Sequence, residues 1–369
     1  MKKVGIVTIY DVPNYGSVLQ TYATLQVFKQ LGYEAHVIQY TRKNDWVQSR
    51  KGKVKQNPLK RIANTLGLTP FGRMAKKMND FRRKRLQFTP PYDTLEDLVR
   101  ESWNDYDLMV VGSDQVWNYK YLYGDSAYML SFVPDRIRKI SLASSFAVDE
   151  LPQTLVDKYI QYLGRFAALS VREANGKHII EEQLGLKKDV DVLLDPTLMV
   201  DRSGWISSFP CSKRLPEKYI LFYMLDYAFN PKPYIFEVAK YFKQKWNCPV
   251  LALVGHKHPN KACGLKMKNV GDAGINEFVH LFANASLVIT SSFHGTAFAL
   301  NFGRPLVSVI PSTGDDRQST LIRQVGVTNC AVTVGDPIAN INPCYDFVEE
   351  QNELESLRED SLRWIRQQV

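Results

Sequence analysis

The chain contains 369 residues, of which 45% are hydrophobic and 23% are charged, and its formal net charge is +9. This composition is that of an ordinary folded protein, and it excludes the disordered classes. A chain of this length exceeds a single hydrophobic core, so two domains are expected. No apolar run approaches the roughly 18 residues that a membrane-spanning helix needs.

Five cysteines are scattered along the chain, and none of them forms a C-x-x-C pair. An odd and scattered set predicts a reducing, cytoplasmic location and no structural zinc. The first apolar run, at residues 4–10, is too short for a signal peptide and lacks a small-residue cleavage site. It is therefore predicted to be a buried strand.

This first strand is predicted to open a βαβ unit whose second strand ends at Tyr40. The loop after the first strand lacks the G-x-G-x-x-G fingerprint of a dinucleotide site. Asn14, Tyr15 and Ser17 lie there at the start of the helix, where they can offer hydrogen bonds to a ligand. An ordinary turn before a helix explains these residues about equally well.

Residues 42–90 carry the positive charge of the chain. Fifteen Lys or Arg stand there against two Asp, a net +13, which leaves the remainder near −4. A basic helical insertion is expected to contact an anionic membrane surface or to gather an acidic acceptor. A solvated helical flank is an equal alternative. Because no groove-reading motif is present, no nucleic acid partner is expected.

Two amphipathic helices are predicted within this basic insertion, because apolar residues recur there at helical spacing. The apolar stripe of the longer helix consists of Phe71, Met74, Met78 and Phe81. That of the shorter helix consists of Leu59, Ile62 and Leu66. The longer stripe, beside so many cations, has the pattern of a peripheral membrane helix.

A buried strand predicted at residues 107–111 leads into a polar turn. In open α/β sheets, ligands bind beyond the carboxyl ends of strands, so Ser113 and Asp114 are candidate ligands for sugar hydroxyls. Asp114 can instead cap the next turn. Trp117 can stack on a sugar, with ordinary core packing as the somewhat stronger alternative.

Arg172 follows another predicted strand at residues 169–171. A guanidinium at a strand end can hold a carboxylate or a phosphate with two parallel hydrogen bonds. The alternative is a surface ion pair between Arg172 and Glu173 that contributes little.

The βα rhythm repeats in the second half, and between the halves the pattern becomes irregular. A doubly wound α/β protein of two domains is therefore predicted. Its bounds are 1–196 for the N-terminal domain with the basic helical insertion at about 42–90, 197–217 for the linker, 218–345 for the C-terminal domain and 346–369 for a closing helix.

Residues 286–310 are predicted as strand, tight polar turn, short helix and strand. The turn, expected to be exposed, places His294 at a helix amino terminus, which carries a positive partial charge. An imidazole there can bind an oxyanion and exchange protons near neutral pH. A capped turn whose histidine only bonds nearby backbone is the alternative. The other polar positions of this turn are Ser291, Ser292, Gly295 and Thr296.

The turn at residues 291–296 and six further motifs resemble those of the polysaccharide pyruvyl transferase family, and they follow one another along the chain in the order that the family has. Together they span nearly the whole chain, which makes the resemblance specific. The further motifs are residues 14–20, 112–118, 170–173, 195–197, 277–278 with 283–285, and 316–317 with 321–322.

The resemblance implies two Rossmann-like domains that face each other across a cleft, a GT-B-like fold. It also implies transfer of a pyruvyl group from phosphoenolpyruvate, as donor substrate and without a further cofactor, to hydroxyls of a cell-envelope or exopolysaccharide sugar. The acceptor is expected to be a sugar or a lipid-linked oligosaccharide. No metal site is predicted, because His256 and His258 lack a third ligand at useful spacing.

Residue roles follow from the same resemblance. Ser292 occupies the place where many members carry Arg, so Arg317, Arg323 or a cation of the basic insertion is expected to substitute. The expected catalytic residues are His294 and Arg172. The expected donor-binding residues are Ser291, Ser292, Gly295, Thr296 and Arg317. The expected acceptor-binding residues are Asn14, Tyr15, Ser17, Ser113, Asp114 and Trp117.

Two other functions fit the same sequence. One is a GT-B glycosyltransferase that uses a nucleotide sugar, with Arg317 on the pyrophosphate. The other is a non-catalytic carbohydrate-binding protein. Release of phosphate from phosphoenolpyruvate separates the pyruvyl transferase from both.

Overall fold

The structure is a computed structural model, and it describes residues 1–41, 58–253, 264–311 and 317–369. These residues form two compact units. The first unit takes the described parts of Met1–Asn57, Phe81–Met199 and Arg358–Val369, and the second takes those of Pro58–Asp80 and Val200–Leu357.

The first unit is built on a parallel β-sheet. Its strands are β1 (Lys3–Val7), β2 (Glu34–Tyr40), β3 (Phe88–Tyr92), β4 (Leu108–Val111) and β5 (Arg138–Ser141), in the spatial order β3-β2-β1-β4-β5. A parallel pair, β6 (Leu169–Val171) and β7 (Val190–Val192), adjoins β5 through isolated bridges. All four residues of β4 are buried, as expected for an apolar strand covered on both faces.

Helices connect these strands in the first unit. They are Tyr15–Gln30, Leu95–Arg100, Tyr119–Leu122, Gln153–Leu163, Ala174–His178 and Pro196–Met199, with a 3₁₀ turn at Ser126–Met129 and a π-helical turn at Ile179–Gln183. The helix Tyr15–Gln30 has thirteen buried residues and packs against Pro196–Met199. It is a central core element of this unit.

β3 is a strand that the sequence did not indicate, because residues 88–92 contain two consecutive prolines. Proline lacks the N–H that a central strand needs, so it is confined to sheet edges. β3 lies at the edge of its sheet, beside β2 alone. The edge position explains how Phe88–Tyr92 can still form a strand.

The second unit has its own parallel sheet. Its strands are β8 (Ile220–Tyr223), β9 (Val250–Ala252), β10 (Lys268–Asn269), β11 (Leu287–Thr290), β12 (Leu306–Ile310) and β13 (Ala331–Thr333), in the order β10-β9-β8-β11-β12-β13. Its helices include Arg202–Ser208, Tyr234–Trp246, Ile275–Ala283, Phe293–Asn301 and Arg317–Gln324, with 3₁₀ turns at Thr328–Cys330 and Ile338–Asn340.

The strand pairs of both units confirm the predicted α/β class. Every strand pair that the structure describes is parallel. None of the helices in the described ranges combines the length and the apolar character needed to cross a bilayer.

The division between the units, at Met199 and Val200, lies within the predicted linker at residues 197–217, but this segment is not irregular throughout. Two helices, Pro196–Met199 and Arg202–Ser208, occupy its first half. The second of them is fixed by Trp205, which is fully buried against Phe298. The closing helix Phe347–Gln368 is divided between the units at Arg358, where the Arg358 side chain donates to a carbonyl of the first unit.

The basic segment also differs from the prediction. Residues 42–57 lie outside the described residues, and the remainder forms the helices Pro58–Thr65 and Pro70–Arg85. Pro58–Asp80 belongs to the second unit, not to the first as an insertion. Three of the four residues of the longer stripe are core, since Met74, Met78 and Phe81 are 3%, 0% and 8% exposed, and Phe71 is half-buried. The stripe is therefore not available to a membrane.

An ion cluster ties the first part of the helix Pro70–Arg85, up to Asp80, to the rest of the second unit. Glu277 accepts hydrogen bonds from Lys77 Nζ at 2.6 Å, from Lys213 Nζ at 3.1 Å and from the N–H of Gly274 at 2.5 Å. Burial alone would raise the pKa of Glu277, but these three partners together lower it to about 2. The cluster joins residues 200 positions apart in sequence.

We expect Glu277→Gln to lower the free energy of unfolding at pH 7 by about 1–2 kcal/mol, allowing for solvent screening of the ion pairs. Because the pKa of Glu277 is lowered from 4.5, its contribution is complete above pH 4.5 and is lost as the pH falls towards 2. Thermal unfolding at several pH values would measure the difference. The exposed Glu353→Gln is the control, and an equal effect of Glu277→Gln at pH 7 and pH 2 would contradict the assignment.

Candidate active site

Polar side chains meet at the carboxyl ends of β4, β6 and β7 in the first unit. Asp195 is 1% exposed, and one carboxylate oxygen accepts from Ser113 Oγ and from Arg172 Nη1, both at 2.7 Å. Its other oxygen accepts from the N–H and the hydroxyl of Thr197, at 2.9 and 2.6 Å. Asp195 therefore balances the charge of Arg172 inside the protein.

Asp114 joins the same network from a left-handed backbone conformation, with φ of 76°. Short polar side chains such as Asp visit this region more readily than others. Its carboxylate accepts from Ser17 Oγ at 2.5 Å and from the N–H of Gln115 at 2.9 Å, and it lies 3.9 Å from Arg172 Nη2. The structure thus brings together four predicted site residues, Ser17, Ser113, Asp114 and Arg172.

Asn14 and Tyr15 begin the neighbouring helix. Asn14 is its N-cap, and its side-chain oxygen accepts from the N–H of Gly16 at 2.9 Å. Asn14 is half-buried, whereas Tyr15 is only 4% exposed and belongs to the core. Of the two alternatives that the sequence left open for Asn14 and Tyr15, the structure shows the ordinary turn before a helix.

Arg172 and Glu173 do not form the surface ion pair that was considered for them. Both are 2% exposed, and each has different partners. Glu173 Oε1 accepts from Ser145 Oγ at 2.9 Å and from the backbone N–H groups of Phe146 and Ala147 at 2.9 and 3.1 Å. Glu173 thereby fixes the turn after β5, a role that sequence reasoning missed because its partners lie 26 to 28 residues away.

Trp117 is a core residue and not a stacking platform. It is 1% exposed, its ring centroid lies 5.1 Å from that of Phe146, and its Nε1 donates to the carbonyl of Tyr128 at 2.9 Å. A buried indole with its N–H already bonded cannot offer a face to a sugar. The expected acceptor contact of Trp117 is therefore corrected in favour of the core alternative.

In the second unit, β11 ends in a turn whose hydroxyls are bonded to β8 and the residues after it. Thr290 Oγ1 donates to the carbonyl of Tyr223 at 2.7 Å and accepts from the N–H of Ser292 at 3.0 Å. Ser291 Oγ donates to the carbonyl of Leu225 at 2.7 Å and accepts from its N–H at 3.0 Å. These bonds fix the direction in which the chain leaves β11.

The helix Phe293–Asn301 starts from this turn. Ser292 is its N-cap, with Oγ accepting from the N–H of Gly295 at 3.4 Å. A Cβ on Gly295 would lie 2.2 Å from Thr290 Oγ1, so only glycine fits there. The close approach of helix and strand explains why the turn carries glycine at this position.

His294 lies in the first turn of the helix Phe293–Asn301, at the carboxyl end of β11, where the sequence predicted it. It is 5% exposed, so the expected exposed position is corrected to a buried one. Its ring is nearly perpendicular to that of Phe293, with centroids 5.2 Å apart. The positive partial charge of the helix amino terminus favours an anion beside this imidazole.

Arg317 is the half-buried first residue of the helix Arg317–Gln324. The next residue, Gln318, donates through Nε2 to Thr296 Oγ1 at 3.3 Å and to Ser308 Oγ at 2.8 Å. These bonds hold the amino termini of two helices together and bring Arg317 to the end of the unit that carries His294. Residues 312–316, just before Arg317, lie outside the described residues.

Tyr223, the last residue of β8, lies under the same turn and was not selected from the sequence. It is 3% exposed and hydrogen-bonded to the side chain of Ser292. Burial raises the pKa of Tyr223 well above its usual value, so the phenol remains protonated near neutral pH. A hydroxyl at the end of an otherwise apolar strand was the signal that could have indicated it.

The network around Asp195 in the first unit and the turn at His294 in the second unit are here called the two strand-end clusters. They consist of hydroxyl, carboxylate, guanidinium and imidazole groups. Across the described ranges, no three His, Cys, Asp or Glu side chains are grouped as a metal site requires. The pair His256 and His258 lies outside the described residues.

Comparison with known sequences gives one family. The profile of the polysaccharide pyruvyl transferase family matches residues 14–313. No curated protein sequence matches the chain.

Several solved structures are similar to this chain in fold. A putative UDP-N-acetylglucosamine 2-epimerase from Listeria monocytogenes shares 11% identity at a TM-score of 0.51, covering 97% of this chain and 90% of that one. A structure of Staphylococcus aureus MnaA with UDP shares 11% sequence identity at a TM-score of 0.52, and the match covers 98% of this chain and 91% of that one. The UDP-N-acetylglucosamine 2-epimerase from Rickettsia bellii shares 11% sequence identity at a TM-score of 0.52, and the match covers 100% of this chain and 96% of that one. These likenesses confirm the GT-B-like fold class.

Proposed function

Because the chain belongs to the polysaccharide pyruvyl transferase family, we propose that it transfers a pyruvyl group from phosphoenolpyruvate to hydroxyls of a cell-envelope or exopolysaccharide sugar. The observation that carries this proposal is the position of His294. It combines a proton-exchanging side chain with a helix amino terminus, at the carboxyl end of a parallel strand.

The proposed reaction needs proton transfer and anion binding. A proton is added to the methylene carbon of phosphoenolpyruvate, and an acceptor hydroxyl forms a bond to the neighbouring carbon as it loses its own proton. The bond from that carbon to the phosphate oxygen then breaks, and inorganic phosphate leaves. A second hydroxyl adds to the same carbon and gives a cyclic ketal, while phosphate carries away the remaining proton.

His294 is assigned to the proton transfers. An imidazole can donate a proton to the methylene carbon and then accept one from the attacking hydroxyl, so one residue serves as general acid and as general base. The helix amino terminus at Ser292 and Gly295 supports the negative charge of the donor. Tyr223 lies beneath the turn and holds Ser292 in place.

Arg317 is assigned to the carboxylate or phosphate of the donor. It starts a helix whose next residue is bonded to Thr296, so its backbone position is fixed relative to the turn at His294. Arg172 is assigned a positioning role, since its charge is already balanced by Asp195 at 2.7 Å. This differs from the catalytic role that the family resemblance implied for Arg172.

The acceptor is assigned to polar residues of the first unit. Carboxylate, amide and hydroxyl groups bind sugar hydroxyls, and Asn14, Ser17, Ser113 and Asp114 supply them at adjoining strand and helix ends. Tyr15 and Trp117 are left out because their aromatic rings pack in the hydrophobic core, whereas Ser17 and Ser113, although equally buried, belong to the hydrogen-bonded network of Asp114 and Asp195. The described cysteines are all free thiols, which fits a cytoplasmic location.

Acceptor-dependent release of phosphate tests the proposal directly. The purified chain is incubated with phosphoenolpyruvate and a panel of oligosaccharides that carry neighbouring hydroxyls, and free phosphate and the mass of each acceptor are measured. We expect phosphate release together with a pyruvylated acceptor. Consumption of a nucleotide sugar without phosphate release would indicate a glycosyltransferase, and sugar binding without either would indicate a binding protein.

Thermal shift can guide the choice of donor before the acceptor is known. A ligand present at 100 times its dissociation constant stabilises the folded protein by about 2.7 kcal/mol. We expect phosphoenolpyruvate to raise the midpoint of unfolding, and UDP-N-acetylglucosamine to leave it unchanged. The opposite pattern would favour the glycosyltransferase.

A further inference from the structure

The short helix Pro58–Thr65 and the turn after it expose large apolar side chains. Leu59, Ile62, Leu66 and Leu68, here called the outer face, are 75%, 55%, 66% and 69% exposed. Scattered single hydrophobic residues are normal on a surface, but four within ten residues form a patch. Such a patch indicates an interaction surface.

The direction of the outer face is set by a close helix crossing. A Cβ on Gly72 would lie 2.2 Å from the carbonyl oxygen of Asn64, so the helix Pro70–Arg85 touches the helix Pro58–Thr65 at Asn64. At about 100° per residue, Ile62 and Leu66 project roughly opposite to Asn64. The contact that anchors the short helix therefore turns its apolar side outward.

The turn that carries Leu66 and Leu68 is held by regular hydrogen bonds. The N–H of Gly67 bonds to the carbonyl of Asn64 at 3.0 Å, and that of Leu68 bonds to the carbonyl of Ala63 at 2.9 Å. With Gly67 at φ of 70°, this is a Schellman cap, which fixes the last turn of a helix. The two leucines are thus presented by ordered backbone.

Arg73 connects this turn to the body of the second unit. Its Nη1 donates to the carbonyl of Leu68 at 3.3 Å, and its Nε donates to Asp272 Oδ2 at 3.2 Å. The outer face is therefore attached to the folded unit through a charged contact at Asp272 as well as through the helix crossing. Any partner of the outer face would hold this unit in a defined orientation.

The charge around the outer face selects among partners. Residues 58–80 contain five Lys or Arg and one acid, Asp80. Two of the five, Arg73 and Lys77, are paired with Asp272 and Glu277, which leaves Lys60, Arg61 and Lys76 to set the charge. Arg61 and Lys76 are exposed among them. Two copies of such a surface would repel each other, whereas an anionic surface would attract it, roughly fivefold in affinity for each cation near the membrane. Apolar side chains flanked by cations are the combination that lies at the boundary of an anionic bilayer.

We propose that the outer face binds an anionic membrane surface, with the leucines and Ile62 inserted at the headgroup boundary. This assigns membrane contact to the short helix and its cap and not to the longer helix, whose stripe is largely buried. The inference does not depend on the proposed pyruvyl transfer, because none of the residues of the outer face belongs to either strand-end cluster.

Cosedimentation with vesicles tests this surface. The full chain is mixed with vesicles of phosphatidylglycerol and phosphatidylcholine, or of phosphatidylcholine alone. We expect binding to the anionic vesicles, reduced at least roughly tenfold in Ile62→Ser/Leu66→Ser/Leu68→Ser, because three apolar side chains no longer enter the bilayer. Arg61→Glu/Lys76→Glu should weaken binding to the anionic vesicles.

The matched control is Val99→Ser/Val348→Ser, which removes apolar side chains that are 60% and 72% exposed elsewhere. It should bind as the wild type does, and thermal unfolding should show that all variants are folded. Absent binding by the wild type, or equal binding by the triple variant, would overturn the proposal. A wild-type dimer that the triple variant abolishes would overturn it in favour of a second copy of the chain.

Discussion

His294→Gln is expected to lower turnover by at least about 10²-fold, since general acid–base groups contribute roughly 10²–10⁴-fold. Glutamine keeps hydrogen-bonding groups and much of the side-chain volume but cannot exchange a proton near neutral pH. Volume matters here because His294 is 5% exposed. His294→Ala would remove packing as well, so the glutamine variant isolates the chemistry.

Turnover is measured as acceptor-dependent phosphate release, with substrate binding followed separately by thermal shift. The exposed His178→Ala is the matched control and should retain full turnover. A His294→Gln variant that binds phosphoenolpyruvate but does not turn over would support general acid–base catalysis. Wild-type turnover in this variant would assign His294 to the structure of the turn.

The second large effect is expected at the buried pair of Arg172 and Asp195. Arg172→Met leaves the Asp195 carboxylate without its cation in a site where its side chain is 0% exposed, and such a change costs about 3–5 kcal/mol of unfolding free energy. The double variant Arg172→Met/Asp195→Asn removes the uncompensated charge. We expect it to regain much of the lost stability, as measured by urea unfolding.

The same double variant distinguishes a positioning role from contact with the donor. If Arg172 only orders Ser113 and Asp195, turnover should return with stability, and the KM for phosphoenolpyruvate should stay within roughly tenfold of wild type. Stability without turnover would instead show that the guanidinium touches the donor. Arg172→Lys tests the geometry, because lysine keeps the charge but loses the planar fork.

Local features of the sequence determined the strands and the helix starts. The apolar run before Thr290 indicated a strand buried on both faces, and β11 is buried at all four positions. The residues around Asn14 indicated a turn before a helix, and Asn14 caps one. Both signals act through near neighbours in the chain, so they can be read without knowing the fold.

The order of motifs carried the family assignment as well. Polar residues that follow predicted strands marked Ser113, Arg172 and His294, because parallel strands all present their carboxyl ends at one edge of a sheet. The structure places each of them at such an end. The sequence could not show the ion pairing and burial of these side chains. In the structure the charge of Arg172 is balanced by Asp195, and His294 is buried.

Only the tertiary structure decided which surface covers each apolar face. The spacing of Met74 and Met78 showed an apolar side of a helix but not its partner, and the fold buries that side in the core. The fold leaves Ile62 and Leu66 exposed, although they are spaced along the chain in the same way as Met74 and Met78. Periodicity reports that a helix has an apolar face. What covers that face depends on contacts such as that of Lys77 with Glu277, between residues far apart in the chain.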